Sequence, residues 1–290
     1  MARKPTLTVV ENLDGEDEID HAMPPASVVP AVRGPARSPA LDLTGKPKLW
    51  FVSGPGRSGK TTYLRWVAEQ ASNRGGDYAL AAMDPANRSL KNYVEDVAEP
   101  PTNDAAAVTK WLEGLVEQVL REKITTLVDC GGGDTALYRL VSAVPSLADD
   151  IVTAGVAPVA VYLLGPRTDD LAVLTTFERA GFQPAATALV LNVGLADPTV
   201  EREVSFARVR RHSTYRAAIE RGAVELWMPW LDRAVVGDIE AKRVSFIQAR
   251  DAVSPEGRTV APLGPFNRAR VRLWLDGMAA EMAPIRTWLP

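Results

Sequence analysis

The chain has a single cysteine, Cys130, in 290 residues, which excludes an internal disulfide framework and fits a reducing compartment. Positive charge is not in excess either. There are 33 Lys and Arg against 36 Asp and Glu, a net charge of -3, so any nucleic-acid surface must be local rather than global. Long hydrophobic runs are missing. The longest apolar stretch, 156–164, falls far short of the roughly 20 residues a membrane-spanning helix needs. The first residues lack the basic-then-apolar pattern of a secretory signal. A cytoplasmic location is the default expectation, and no membrane partner is expected. The apolar share of 46% is ordinary for a globular protein with a sizeable core. The length suits one large α/β domain or two small ones.

The first 46 residues differ from the rest. Positions 11–20 hold six acids, followed by a Pro/Ala stretch with Pro24, Pro25, Pro30, Pro35 and Pro39. Such a segment cannot bury enough apolar surface to offset its ordering entropy. Residues 1–46 are therefore expected to be a disordered tail, either a solvated linker or a partner-binding arm, ahead of a domain over 47–290. From Lys48 onward, short apolar runs alternate with helical periodicity. This is the pattern of an α/β, doubly wound, mostly parallel sheet with helices on both faces. Strands are predicted at 48–53, 78–83, 124–130, 156–164, 188–191 and 224–228. Helices are predicted at 61–74, after the capping candidates Thr102 and Asn103, and at 135–144, 169–180, 206–221 and 268–282.

The sharpest motif is Gly54-Pro55-Gly56-Arg57-Ser58-Gly59-Lys60-Thr61, a complete G-x-x-x-x-G-K-[ST] between a predicted strand and a predicted helix. The glycines let backbone amides turn around phosphates, and the following helix presents its positive end to them. Lys60 supplies a charge to the outer phosphates and the Thr61 hydroxyl a ligand to Mg²⁺. The whole loop 54–61, with Thr62, is the expected phosphate site, and ATP with Mg the expected cofactor. A second constellation follows the apolar strand at 124–128, where Asp129 precedes Cys130 and Gly131-Gly132-Gly133-Asp134. An acid at the carboxyl end of a sheet strand lies where doubly wound sheets bind ligands, placed to orient the metal or its waters. Cys130 reads as a small buried residue. Asp134 is better placed than Asp129 to cap the next helix.

These motifs, in this order, resemble the ParA/MinD group of P-loop ATPases, which includes plasmid-partition and conjugation-associated members. The resemblance runs from about Lys48 to Asn192. Ala79-Leu80-Ala81-Ala82-Met83-Asp84-Pro85 is similar to the group's second strand, and Asp84 matches the residue that positions the attacking water. The strand ending in Asp129 matches Walker B, and its glycine-rich loop switch II. Asn192, after Leu189-Val190-Leu191, matches the Asn that recognises adenine. The resemblance implies an ATP-dependent homodimer acting as a nucleotide-switched positioning, plasmid-partition or DNA-transfer factor with an unidentified protein partner. Two departures bear on turnover and dimer geometry. Pro55 stands where the group has a signature lysine, and Ala82 where it has a first acid. Arg57, in the same loop, is the candidate substitute for that lysine. Each match has a plainer reading. Asp84 before Pro85 could start a turn, and Asn192 could be a turn former ahead of Gly194.

Arg202, Arg208, Arg210, Arg211, Arg216 and Arg221 cluster on the predicted helix at 206–221 and its approach. Arg208, Arg210 and Arg211 could hold DNA backbone without sequence preference. A solvated face or internal ion pairing is the alternative, and the mild acidity of the chain favours it. The C-terminal periodicity of Val271, Trp274, Leu275, Met278 and Met282 fits a helix packed on the sheet better than one on a membrane surface. Two rival functions remain: a dethiobiotin-synthetase-like ligase or a kinase, with Arg88, Lys91 and Asp134 as nearby candidates, or a nucleotide-binding adaptor with little turnover.

Overall fold

Leu49-Trp50-Phe51-Val52 offers no polar residue to either face of a sheet, which suits a strand covered on both sides. In the computed structural model, which describes residues 40–83, 90, 94, 96–131 and 135–290, this segment is β1 (Lys48–Ser53) with all six residues buried. The described residues fall in one compact unit. After β1 come α1 (Lys60–Arg74), β2 (Ala79–Ala82), β3 (Val97–Ala98), α2 (Ala105–Glu122), β4 (Thr126–Asp129), α3 (Thr135–Ala143), α4 (Leu147–Thr153), β5 (Ala157–Leu164) and α5 (Ala172–Arg179). The second half adds β6 (Ala186–Asn192), α6 (Arg202–Ser205), α7 (Ala207–Arg211), α8 (Ser213–Glu220), β7 (Val224–Met228), α9 (Arg233–Lys242), α10 (Phe246–Asp251) and α11 (Pro265–Glu281).

Among the described residues the strands form one seven-stranded sheet in the order β3-β2-β4-β1-β5-β6-β7, and every pairing is parallel. The chain winds one way from β1 through β2, β3 and β4, then the other way through β5, β6 and β7. The crevice of such a sheet opens over the carboxyl end of the strand where the winding reverses, and here that strand is β1. The doubly wound α/β architecture expected from the sequence is the one observed.

Successive residues of a strand face opposite layers. Trp50 and Val52 of β1, Val159, Val161 and Leu163 of β5, and Ala188 and Val190 of β6 look into one core, closed by Leu64, Val67, Val235, Phe246 and Trp274. Leu49 and Phe51, Tyr162 and Leu164, and Leu189 and Leu191 look into the other, closed by Leu112, Leu137, Leu174 and Tyr215. The helix that follows β1 is tied to the C-terminal region. Both carboxylate oxygens of Glu69 on α1 accept backbone amides at the start of α10, from Phe246 at 2.9 Å and Ile247 at 3.2 Å. Arg65 donates to the Val244 carbonyl at 3.1 Å and lies 4.7 Å from the centre of the Phe246 ring.

Several local expectations need correction. Asp104, not Thr102 or Asn103, caps α2, accepting from Ala106 and Ala107 at 3.1 and 2.9 Å. The single helix expected over 206–221 is two, α7 and α8. It breaks at His212, which is extended at φ -65° and ψ 141° and accepts from the Thr214 amide through its side chain. Side chains that bond to nearby backbone compete with helix in this way. The packed chain also begins earlier than residue 47. Leu43 is buried, and the Trp288 indole donates to the Leu41 carbonyl at 2.7 Å. The rest of the expected tail, residues 1–39, lies outside the described residues. The buried positions 271, 274, 275 and 278 place α11 against the sheet. No helix among the described residues is long and apolar enough to cross a membrane.

Candidate phosphate-binding site

The loop from Gly54 to Gly59 leaves the carboxyl end of β1 and enters α1. Gly54 has φ 151° and Gly59 φ 97°. A side chain at Gly54 would meet the Leu163 carbonyl oxygen at 2.5 Å, and one at Gly59 would meet Asn192 Nδ2 at 2.6 Å. Both glycines are therefore required by close approach as well as by conformation. Arg57 sits between them in the left-handed region at φ 64° with its side chain exposed. Loops of this kind can form concavities that bind anions. The first turn of α1 carries no acid, so nothing opposes a negative ligand at the helix start.

Lys60 is buried, and its ammonium donates to the Gly54 carbonyl at 2.8 Å and the Pro55 carbonyl at 3.1 Å. The same Pro55 carbonyl accepts from the Ser58 amide at 3.1 Å, which tightens the turn. Pro55 has no backbone amide to give a phosphate. The Ser58 hydroxyl is buried and without a hydrogen-bond partner among the described residues. Thr61 and Thr62, in the first turn of α1, are both half-buried.

Asp129 ends β4, in register with Val52 of β1 and Ala82 of β2. It is buried and accepts from the Gly131 amide at 3.2 Å. The Met83 amide donates to the Asp129 carbonyl at 2.9 Å, so the chain ends β2 beside Asp129. Asp84, Arg88, Lys91 and Asp134 lie outside the described residues. Cys130 is buried. The structure thus brings the 54–62 loop and Asp129 together at the carboxyl ends of β1 and β4. The donor set of an ammonium, a hydroxyl and a carboxylate suits a phosphate group with a divalent cation. Among the described residues no group of three or more His, Cys, Asp or Glu could hold a metal alone. A cation here would rest on phosphate and one or two protein oxygens, the manner of Mg²⁺.

Asn192 has an occupation the sequence did not indicate. Its Nδ2 donates to the Ser58 carbonyl at 2.8 Å and its Oδ1 accepts from the Gly194 amide at 2.9 Å. Its carboxamide ties the phosphate loop to the turn after β6. The turn-former reading is thereby met as well. Met228, at the end of β7, reaches to 3.7 Å from where a Gly59 Cβ would stand. Two residues on, Trp230 has its Cδ1 3.9 Å from the corresponding position at Gly194. No spacing or motif marked Trp230 in the sequence.

Four of the six arginines of the cluster are ion-paired within the chain. Arg202 pairs with Glu281 at 2.6 Å and Glu203 at 2.9 Å and lies over the Trp227 ring. Arg210 pairs with Glu225 at 2.8 Å, Arg216 with Glu220 at 3.6 Å, and Arg221 with Glu178. Arg210 keeps 38% of its side chain exposed beside Glu225. Arg208, Arg211, Arg216 and Arg221 are exposed.

No family model and no curated protein matches the chain. Among solved structures, chloroplast FtsY from Physcomitrella patens is 16% identical, with 64% of this chain and 59% of that one covered and a TM-score of 0.41. The cell division protein FtsY from Thermotoga maritima is 14% identical, with 81% and 71% covered and a TM-score of 0.41. This chain spans 59% of the length of the first of these. Likenesses this distant identify no family.

Proposed function

We propose that the chain is a Mg-ATP-binding P-loop ATPase that works as a nucleotide-switched factor of the ParA/MinD kind, in positioning, plasmid partition or DNA transfer. The observation that carries this reading is the folded phosphate loop, with Lys60 held across the carbonyls of Gly54 and Pro55 and Asp129 ending the neighbouring strand. The ParA/MinD part rests on the order of the four motifs.

In this reading the loop amides and the start of α1 hold the phosphates. Lys60 exchanges its loop carbonyls for phosphate oxygen, a charge-assisted contact stronger than the bonds it leaves. Thr61 and Asp129 would hold the Mg²⁺, which when bound neutralises charge on the outer phosphates. Asp84 orients the attacking water, and Arg57 takes the part of the cation that Pro55 cannot play. The choice of ATP over GTP is supported by the turn after β6. It reads Asn192-Val193-Gly194-Leu195, so no carboxylate stands at 195 to accept from guanine. The next acid, Asp197, is engaged by the Thr199 amide and hydroxyl at 2.9 and 2.7 Å. A small-molecule ligase would need a pocket beside the outer phosphate. Its candidates Arg88, Lys91 and Asp134 lie outside the described residues, and the cavity of about 500 Å³ lined by Pro158, Glu178, Thr187 and Arg221 opens at the amino ends of β5 and β6, across the sheet from the loop.

The expected result is that Lys60→Ala abolishes ATP binding in titration calorimetry and leaves the circular-dichroism spectrum unchanged. A variant that folds and keeps wild-type affinity would remove the basis of this reading.

A further inference from the structure

Five of the seven tryptophans, at positions 50, 66, 227, 274 and 288, are buried, and Trp111 is half-buried against a core. Trp230 departs from them with 47% of its surface exposed. An indole left half in water gives up much of the free energy its burial would contribute. Its backbone is nonetheless firmly held. The preceding residue, Pro229, accepts from the Trp274 indole at 3.0 Å and packs so close to α11 that a side chain at Gly277 would meet its Cγ at 3.1 Å. The anchor is rigid and the ring is offered outward.

The position of that ring relative to the phosphate loop is set by a short chain of contacts. Asn192 joins the Ser58 carbonyl to the Gly194 amide, and Gly194 lies against the Trp230 ring edge. Any side chain at 194 would begin 3.0 Å from Asn192 Oδ1 and 3.9 Å from Trp230 Cδ1, filling the space between them. The glycine keeps that space clear. The carboxyl ends of β6 and β7 thus carry a half-exposed indole beside the candidate phosphate site.

We propose that Trp230 is the platform on which the base of the bound nucleotide stacks. The inference rests on the nucleotide reading of the loop and goes beyond it, because it names the residue that holds the end of the ligand without phosphate. Stacking uses the π-face that every base has, so Trp230 adds affinity for a purine nucleotide without choosing adenine over guanine. The choice is left to the edges of the base.

The test uses the full chain with Mg²⁺ and measures affinity for ATP and for inorganic tripolyphosphate, which has no base. Trp230→Ala is expected to weaken ATP binding roughly 10- to 100-fold and to leave tripolyphosphate binding unchanged. Trp230→Phe is expected to recover most of the loss. ATP, but not tripolyphosphate, is expected to quench tryptophan fluorescence in the wild type, and the quench to vanish in Trp230→Ala. Equal weakening for both ligands would assign Trp230 to the shape of the loop and overturn the proposal. Unchanged ATP affinity in Trp230→Ala would overturn it too, giving the ring to a protein partner and leaving the nucleotide reading intact. A wild type that binds neither ligand would overturn both.

Discussion

At the scale of single residues, Arg57 is the one non-glycine residue of the phosphate loop in the left-handed region. A side chain in the left-handed region costs on the order of 1 kcal/mol, and Arg57 bears that cost with its guanidinium in solvent. Glycine would adopt the same conformation without strain. Arg57→Gly is therefore expected to match or exceed the wild type in thermal stability. If the guanidinium acts on phosphate across a dimer, turnover falls roughly 10²-fold or more in both Arg57→Gly and Arg57→Ala, with ATP binding retained. Wild-type turnover in Arg57→Ala would leave the residue only its place in the loop. The phosphate loop was legible in the sequence because close backbone approach demands glycine at fixed intervals, and both Gly54 and Gly59 meet a neighbour within 3 Å of an added carbon. Asn192 was legible as important but not in its partner, since a carboxamide donates and accepts without preference. Trp230 carried no signal, because a lone aromatic after a strand reads the same whether it is buried or exposed.

Among the elements, α1 carries a group that makes stability depend on pH. Burial pushes the Glu69 carboxyl up to about 7, against the pull of the Phe246 and Ile247 amides and of Arg65. The unfolded chain releases this proton near 4.5. Between those values the folded state binds more protons, so stability declines as pH rises through the window and levels off above it. Below 4.5 both states are protonated and the penalty is absent. The slope is at most about 1.4 kcal/mol per pH unit. Glu69→Gln keeps one acceptor for α10 and cannot ionise. Urea unfolding at pH 5 and pH 8 is expected to give a smaller difference for the variant than for the wild type. An equal difference would place the pH dependence elsewhere. Elements with strong periodicity, such as β1, β5 and α2, were read from sequence within a few residues. The two-residue strand β3 has no pattern to read. The α7–α8 break did leave a trace: apolar residues keep a spacing of three within each helix, at 206 and 209 and at 215 and 218, but 209 and 215 are six apart, which would put the two pairs on opposite sides of one continuous helix.

At the scale of the whole molecule, the arginine face divides, among the described residues, into paired and unpaired positions. Arg210 is held by Glu225, which also accepts from Tyr215 at 2.7 Å. Removing Arg210 leaves a mostly buried carboxylate short of its cation, so Arg210→Ala is expected to lower stability by about 1–3 kcal/mol in a urea titration. Reversing the charge of Arg208 and Arg211 is expected to leave stability within about 0.5 kcal/mol of the wild type and to remove whatever retention on DNA the protein has at low salt. If Arg210→Ala proves neutral, the pair with Glu225 is ornamental and the face is more open than it looks. The central position of β1 has a last consequence, for how the protein is made. Lys48 pairs with Ala157 in the parallel register of β1 and β5. Ribosomes add roughly 5–20 residues per second, so β1 waits on the order of 5–20 s for that neighbour to be synthesised. Through that interval the nascent chain holds Trp50 and Phe51 without the strand that will cover them. Nor can the loop be fastened early, because Asn192, whose carboxamide holds the Ser58 carbonyl, is translated later still.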